Sequence, residues 1–228
     1  MNISDTHMNQ FEEGKMLIKK AGDGDKNAVN KANEIFSKLR KAEPDNALIE
    51  AYYGTTMMLT ARDKISPLSR LKETIAGMKI LDEAVSADPE NSRIRLLRGR
   101  AAYRLPEKYF QRTQTAIEDY NFLIDREMQE EEGFLDTVKY LQLNYELGEA
   151  YSRIGRNQDA AMCWKRLINE TQDPDFLHLL NLKLKSVEGK PDVEHTPNSE
   201  SPVSILIRRT IRAAGSEIIN LVEDKYFQ

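Results

Sequence analysis

One packing pattern recurs down this chain and limits its fold more than anything else in it. Ala32, Phe36, Leu39 and Pro44 stand at successive offsets of four, three and five, and Gly77, Leu81, Ala84 and Pro89 repeat them. Ala116, Tyr120 and Leu123 keep the four and three, with Met128 where the proline stood, and Ala160, Trp164 and Leu167 keep them again. Offsets of four and three put each set on one face of a helix. A pattern that returns every few tens of residues describes units that each bury a thin face against a neighbour, so a single wrapped core is excluded as the organising principle.

The last unit is the fullest. It reads Leu147, Gly148, Tyr151, Gly155, Ala160, Trp164, Leu167, in which Gly148 and Ala160 are small where two antiparallel helices cross. Leu147, Tyr151, Trp164 and Leu167 fill the space around that crossing, and Gly155 ends the first helix in a backbone conformation that a Cβ resists. In this spacing the chain resembles the tetratricopeptide repeat (TPR) family over about residues 10–174. Weaker first helices carry Gly54 with Tyr53 and Met57, Gly99 with Leu97 and Ala102, and Gly14 with Leu17 before an insertion at Gly22, Asp23, Gly24 and Asp25. The units exceed the usual repeat of about 34 residues, with extra turn or helix-extension segments over 59–71 and 105–115.

The resemblance implies an all-α fold: a right-handed solenoid of about four TPR-like helix pairs, with a capping helix over 176–185. Sustained strand-type alternation is absent. Residues 186–203 hold three prolines, a glycine and no large apolar residue except valine, and are expected to be a flexible linker. That predicts a repeat domain over 8–185, the linker over 186–203, and a C-terminal amphipathic helix over 204–228. The last helix has Ile207, Ile211, Ala214 and Ile218 along one face. Capping the solenoid, swapping onto a second protomer to give a homodimer, occupying the groove, and lying on an anionic membrane surface compete as its use.

Composition narrows the function. One cysteine, Cys163, excludes an intrachain disulfide and multi-cysteine metal sites, and three scattered histidines give a metal centre little to draw on. No metal or other cofactor is expected. No phosphate-binding glycine loop, HExxH, GxSxG or paired-cysteine motif is present, so no enzyme is expected. Asp23, Gly24 and Asp25 lack the later acidic ligands of a calcium loop. No window spans a membrane. The opening residues lack the layout of a secretory signal, and the chain is read as cytoplasmic. Cys163 beside Trp164 reads as a packing residue, and the acidic run around Glu130 as a solvated helix end.

Members of the resembled family generally hold a peptide or partner helix in a concave groove lined by first helices. Carried onto this sequence, the groove positions are Tyr52 and Thr55, then Arg93, Leu96, Arg100, Tyr103 and Arg104, then Tyr145, Glu149 and Arg153. A partner protein is thereby implied. Arg93, Arg100 and Arg104 share one helix face beside Leu96 and Tyr103, which suits an acidic, partly apolar segment. The competing reading is internal pairing, because residues 93–112 carry seven basic side chains against one acidic, and 118–136 carry eight acidic against one basic. The alternative function is an RNA-binding or transcription-linked repeat using the same arginines. The net charge of -4 argues against nucleic acid. Ala51, Thr55 and Leu97 depart from the clamp that holds chaperone tails, so that partner is not expected.

Overall fold

A computed structural model describes residues 3–22, 24–129 and 134–193. The expected C-terminal helix, the end of the acidic run and most of the expected linker lie outside the described residues. Among the described residues there are ten α-helices and no strand. They are α1 (Asp5–Gly22), α2 (Lys26–Ala42), α3 (Ala47–Arg62), α4 (Pro67–Ala87), α5 (Ser92–Arg104), a short α6 (Glu107–Phe110), α7 (Thr113–Gln129), α8 (Thr137–Arg153), α9 (Asn157–Glu170) and α10 (Pro174–Val187).

The chain divides into two compact units, one up to Ala101 and one from Ala102. The sequence suggested one body over 8–185; the division falls inside α5. The described N-terminal part also begins earlier than 8, since Ile3 is buried with Phe11, Phe36, Leu39 and Ile49.

In the first unit α1 pairs with α2 and α3 with α4. Each turn is written in capping chemistry: Asp25 accepts from the backbone of Asn27 and Ala28 to start α2, and Ser66 with Pro67 starts α4. The two turns that follow second helices are built alike. Glu43, Pro44 and Asn46 end α2 and begin α3, and Asp88, Pro89 and Asn91 end α4 and begin α5. Asn46 Nδ2 donates to Glu43 and Asn91 Nδ2 to Asp88, each at 3.0 Å, while each asparagine oxygen accepts two backbone N–H groups of the next helix. The repeat therefore extends from the packing face into the turns.

Close crossings are made where the pattern has glycine. A Cβ on Gly54 of α3 would lie 2.9 Å from the carbonyl oxygen of Gly77 on α4, and one on Gly77 would lie 2.8 Å from that of Gly54. Gly14 of α1 likewise admits the Phe36 ring of α2. Around this second crossing Phe36 stacks on Tyr52, and Phe11 meets both rings edge-on at 5.8 and 5.1 Å.

The second unit contains the fullest pair, α8 and α9. Trp164 is 1% exposed, and its ring lies over Gly148, where a Cβ would come within 2.4 Å of the indole nitrogen. Gly155 turns the chain at φ +83°. Helix α9 has no cap of its own, because Arg156 precedes it. Asp192 supplies one instead, accepting the Gln158 N–H at 2.8 Å, while Asn157 donates to the Pro191 carbonyl and Val193 N–H to that of Gly155. The linker expected from residue 186 thus starts inside α10, and residues up to Val193 are bound to the α8–α9 turn.

The start of α1 is tied to the end of α2 by charge. Glu43 Oε1 accepts from Ser4 Oγ at 2.6 Å and from its N–H at 3.1 Å, and lies 2.8 Å from His7 Nδ1. The Ser4 hydroxyl foremost, then His7, hold the Glu43 carboxyl down to about 2 from 4.5, against a smaller opposing effect of burial. A depressed carboxyl contributes stability that is present above its ordinary value and is lost as pH falls toward the folded one. Hydrogen exchange of α1 should therefore accelerate as pH falls from about 4.5 to about 2, beyond the intrinsic pH effect. In Glu43→Gln the protection of α1 is expected to be lower at neutral pH and flat across that window; an unchanged profile would refute the assignment.

Candidate functional site

In the first unit two of the sequence-predicted residues are occupied by packing. Tyr52 lies between α1 and α2 against Phe11 and Phe36; burial pushes its phenol up, and the nearby Arg93 charge opposes that shift. Thr55 spends its hydroxyl on the Ala51 carbonyl at 2.9 Å.

Helix α5 sorts its arginines by face. Arg95 donates to the Pro89 carbonyl at 2.6 Å, and Arg98 reaches Asp82 at 3.6 Å. Arg93, Arg100 and Arg104 stand at offsets of seven and four on another face, with Leu96 half-buried among them. Among the described residues these three make no ion pair and no side-chain hydrogen bond, and Arg100 Nε is buried without a partner. Internal pairing thus takes up part of the basic segment and not this face.

In the second unit four predicted residues meet, and they satisfy one another. Tyr103 donates to Glu149 at 3.4 Å, and Arg153 donates to the Tyr103 carbonyl at 2.6 Å with its guanidinium 4.7 Å from the ring. Burial and the neighbouring Glu149 push the Tyr103 phenol up to about 12. Glu149 pairs with Lys183 of α10, and Tyr145 lies 6.0 Å from Phe176 of the same helix. Helix α10 therefore does more than close the stack. Lys183 and Phe176 complete this face, and only their place on an apolar helix signalled it beforehand.

Cys163 is half-buried on α9, and burial pushes its thiol up to about 11, so it stays protonated at neutral pH. No cluster of three or more metal-ligating side chains occurs among the described residues. No described helix is long and apolar enough to cross a membrane.

One feature of the first unit had no counterpart in the sequence reading. A cleft of about 480 Å³ opens between α2, α3 and the start of α4. Its α3 wall is Tyr53, Met57 and Thr60, a face of that helix different from the one carrying Tyr52 and Thr55.

No family model matches the chain, and no curated protein does. Among solved structures, the crystal structure of MamA protein is similar at 16% identity with a TM-score of 0.50, over 98% of this chain and 97% of that one. Likeness at that identity speaks for the fold. With the helix pairs and glycine crossings above, it makes this an all-α, TPR-like arrangement of adjacent helix pairs.

Proposed function

We propose that the chain is a protein–protein interaction scaffold that holds an acidic, partly apolar segment of a partner on the arginine face of α5. The observation that carries this reading is the division of labour on that helix. Arg95 and Arg98 are engaged at home, whereas Arg93, Arg100 and Arg104 line up on one face and make no ion pair among the described residues. Guanidinium groups left unpaired beside an apolar side chain are suited to bidentate contact with carboxylates, and such contacts are stronger than a point charge gives. Leu96, and Tyr52 at its half-buried edge, supply the apolar part of the surface.

The face formed by Tyr103, Tyr145, Glu149 and Arg153 plays a different part in this proposal. Its polar groups are already spent on one another and on α10, so it supports the binding helix and adds little direct affinity. No catalytic step or cofactor enters the reading. The single protonated thiol suits a reducing compartment such as the cytoplasm.

Affinity capture with the wild-type chain and with Arg100→Glu/Arg104→Glu tests the proposal. The double reversal is expected to abolish capture of the specific partner and leave the helical circular dichroism unchanged. Partners retained by the reversed face sink the assignment. Loss of bound RNA instead of a protein would favour the nucleic-acid reading.

A further inference from the structure

We propose that the end of the first unit where the α1–α2 and α3–α4 connections meet is a docking surface for a bilayer rich in anionic phospholipid, with Ile65 entering its interface. The proposal goes beyond the arginine face of α5 and does not depend on it.

Two contacts bring the connections together. Arg62, the last residue of α3, donates to the Ala21 carbonyl in the last turn of α1 at 3.1 Å, and Leu59 packs against Ala21, Ala28 and Val29. The antiparallel run of the helices collects the α2–α3 and α4–α5 turns at the other end. Charge is sorted between the two ends. Residues 19–26 and 62–72 carry seven basic side chains against three acidic, whereas 38–50 and 82–95 carry seven acidic against five basic. A chain of net charge -4 thus keeps one positive end.

Part of that positive charge holds the α3–α4 connection in shape. Arg62 pairs with Asp63 at 3.5 Å, Lys64 pairs with Glu73 at 3.2 Å, and Arg70 donates to the Lys64 carbonyl at 2.9 Å. The rest is uncommitted. Lys19, Lys20, Lys26 and Lys72 are exposed and, among the described residues, make no ion pair and no side-chain hydrogen bond.

The bracing fixes where Ile65 stands. On one side of it Lys64 is held through both its side chain and its carbonyl, and on the other the Ser66 hydroxyl accepts the Ser69 N–H to cap α4. Ile65 is 97% exposed, the most exposed large apolar side chain among the described residues. At that exposure it rests on nothing in its own unit. The tip of a braced turn therefore carries an aliphatic side chain on the same end as four uncommitted ammonium groups.

The residue types choose the partner. An ammonium is a strongly hydrated point charge that suits a diffuse layer of headgroup phosphates, whereas bidentate contact with a single carboxylate calls for arginine. Each lysine brought to an anionic bilayer strengthens binding about fivefold, and an apolar side chain among them gains by entering the acyl boundary. Single-stranded nucleic acid stacks its bases on aromatic planes, and residues 19–26 and 62–72 contain none.

The test uses the full chain and sedimentation with vesicles of phosphatidylcholine, alone or with about 30% phosphatidylglycerol. Binding is expected to the anionic vesicles only, and should fall as salt is raised to about 0.5 M. Lys19→Gln/Lys20→Gln should weaken it about twenty-fivefold and Ile65→Ser at least about fivefold. These side chains are exposed, so the variants keep the fold, which circular dichroism checks. Ile65→Trp reads insertion directly: the native Trp164 is buried, so a blue shift of emission on adding anionic vesicles reports entry of position 65. Equal binding to both vesicle types overturns the proposal, as does an unshifted emission from Ile65→Trp. Binding that neither variant weakens belongs to another surface, such as the basic segment 208–212, and overturns it too. So does failure to bind anionic vesicles, whether or not single-stranded RNA is held by the same lysines.

Discussion

Replacing Gly54 by valine is expected to destabilise the first unit by about 3 kcal/mol or more, against the direction that helix propensity alone dictates. Inside an exposed helix, exchanging glycine for a residue with a side chain usually gains stability, by about 1 kcal/mol for alanine. Here the new Cβ would sit 2.9 Å from the Gly77 carbonyl oxygen and 3.2 Å from Ile80. The obstructing atom is backbone on the facing helix, so no rotamer change clears it and the two helices must separate. Separation also loosens contacts of Leu81 and Ala84, both fully or nearly fully buried. The internal control is Gly22, at the end of α1, where an added Cβ meets nothing within 4 Å. Gly22→Ala should be neutral or stabilising by up to about 1 kcal/mol. Urea unfolding of the three proteins, followed by circular dichroism, reads the difference. Equal stability of Gly54→Val and wild type would mean that the crossing is not as close as described.

The second large effect is expected at Trp164. Truncation of a buried tryptophan to alanine costs about 3–5 kcal/mol, because lost burial adds to the cavity left behind. The ring lies on Gly148, and this makes the pair a sharper test than either change alone. Gly148→Ala in the wild type drives a methyl into the indole and should cost about 1–3 kcal/mol. In the Trp164→Ala background the obstruction is gone, and the same change should become stabilising by about 1 kcal/mol through helix propensity. A double-mutant cycle that shows this reversal of sign establishes the contact. Strict additivity would refute it.

Helices and crossings were legible because the groups that form them are close in sequence. Four-and-three spacing marks Phe36 and Leu39, or Trp164 and Leu167, as one buried face whatever the neighbour is. The turn prolines were visible too. The asparagines and acids beside them in Glu43–Asn46 and Asp88–Asn91 were not singled out, though their recurrence was there to be read.

What escaped notice depends on partners far apart in the chain. Ser4 and Glu43 are 39 residues apart, and Asp192 acts on a helix end 34 residues before it. The arginine spacing on α5 was plain, yet which arginines are engaged depends on where Asp82 and the Pro89 carbonyl come to lie. A cleft needs three helices at once, and no window of sequence contains them.

The borrowed cap on α9 bears on the order in which the molecule is completed during synthesis. Domains form on the ribosome from the N-terminus as residues emerge. Every helix in the first unit that has a side-chain cap finds it immediately upstream, so each can be finished as soon as it appears. Helix α9 must wait for Asp192, and its first turn stays open until α10 and the residues after it have left the exit tunnel. Among the described residues, the pair whose sequence best matches the repeat is therefore the last to be sealed, and a ribosome stalled before Asp192 would hold it with a frayed end.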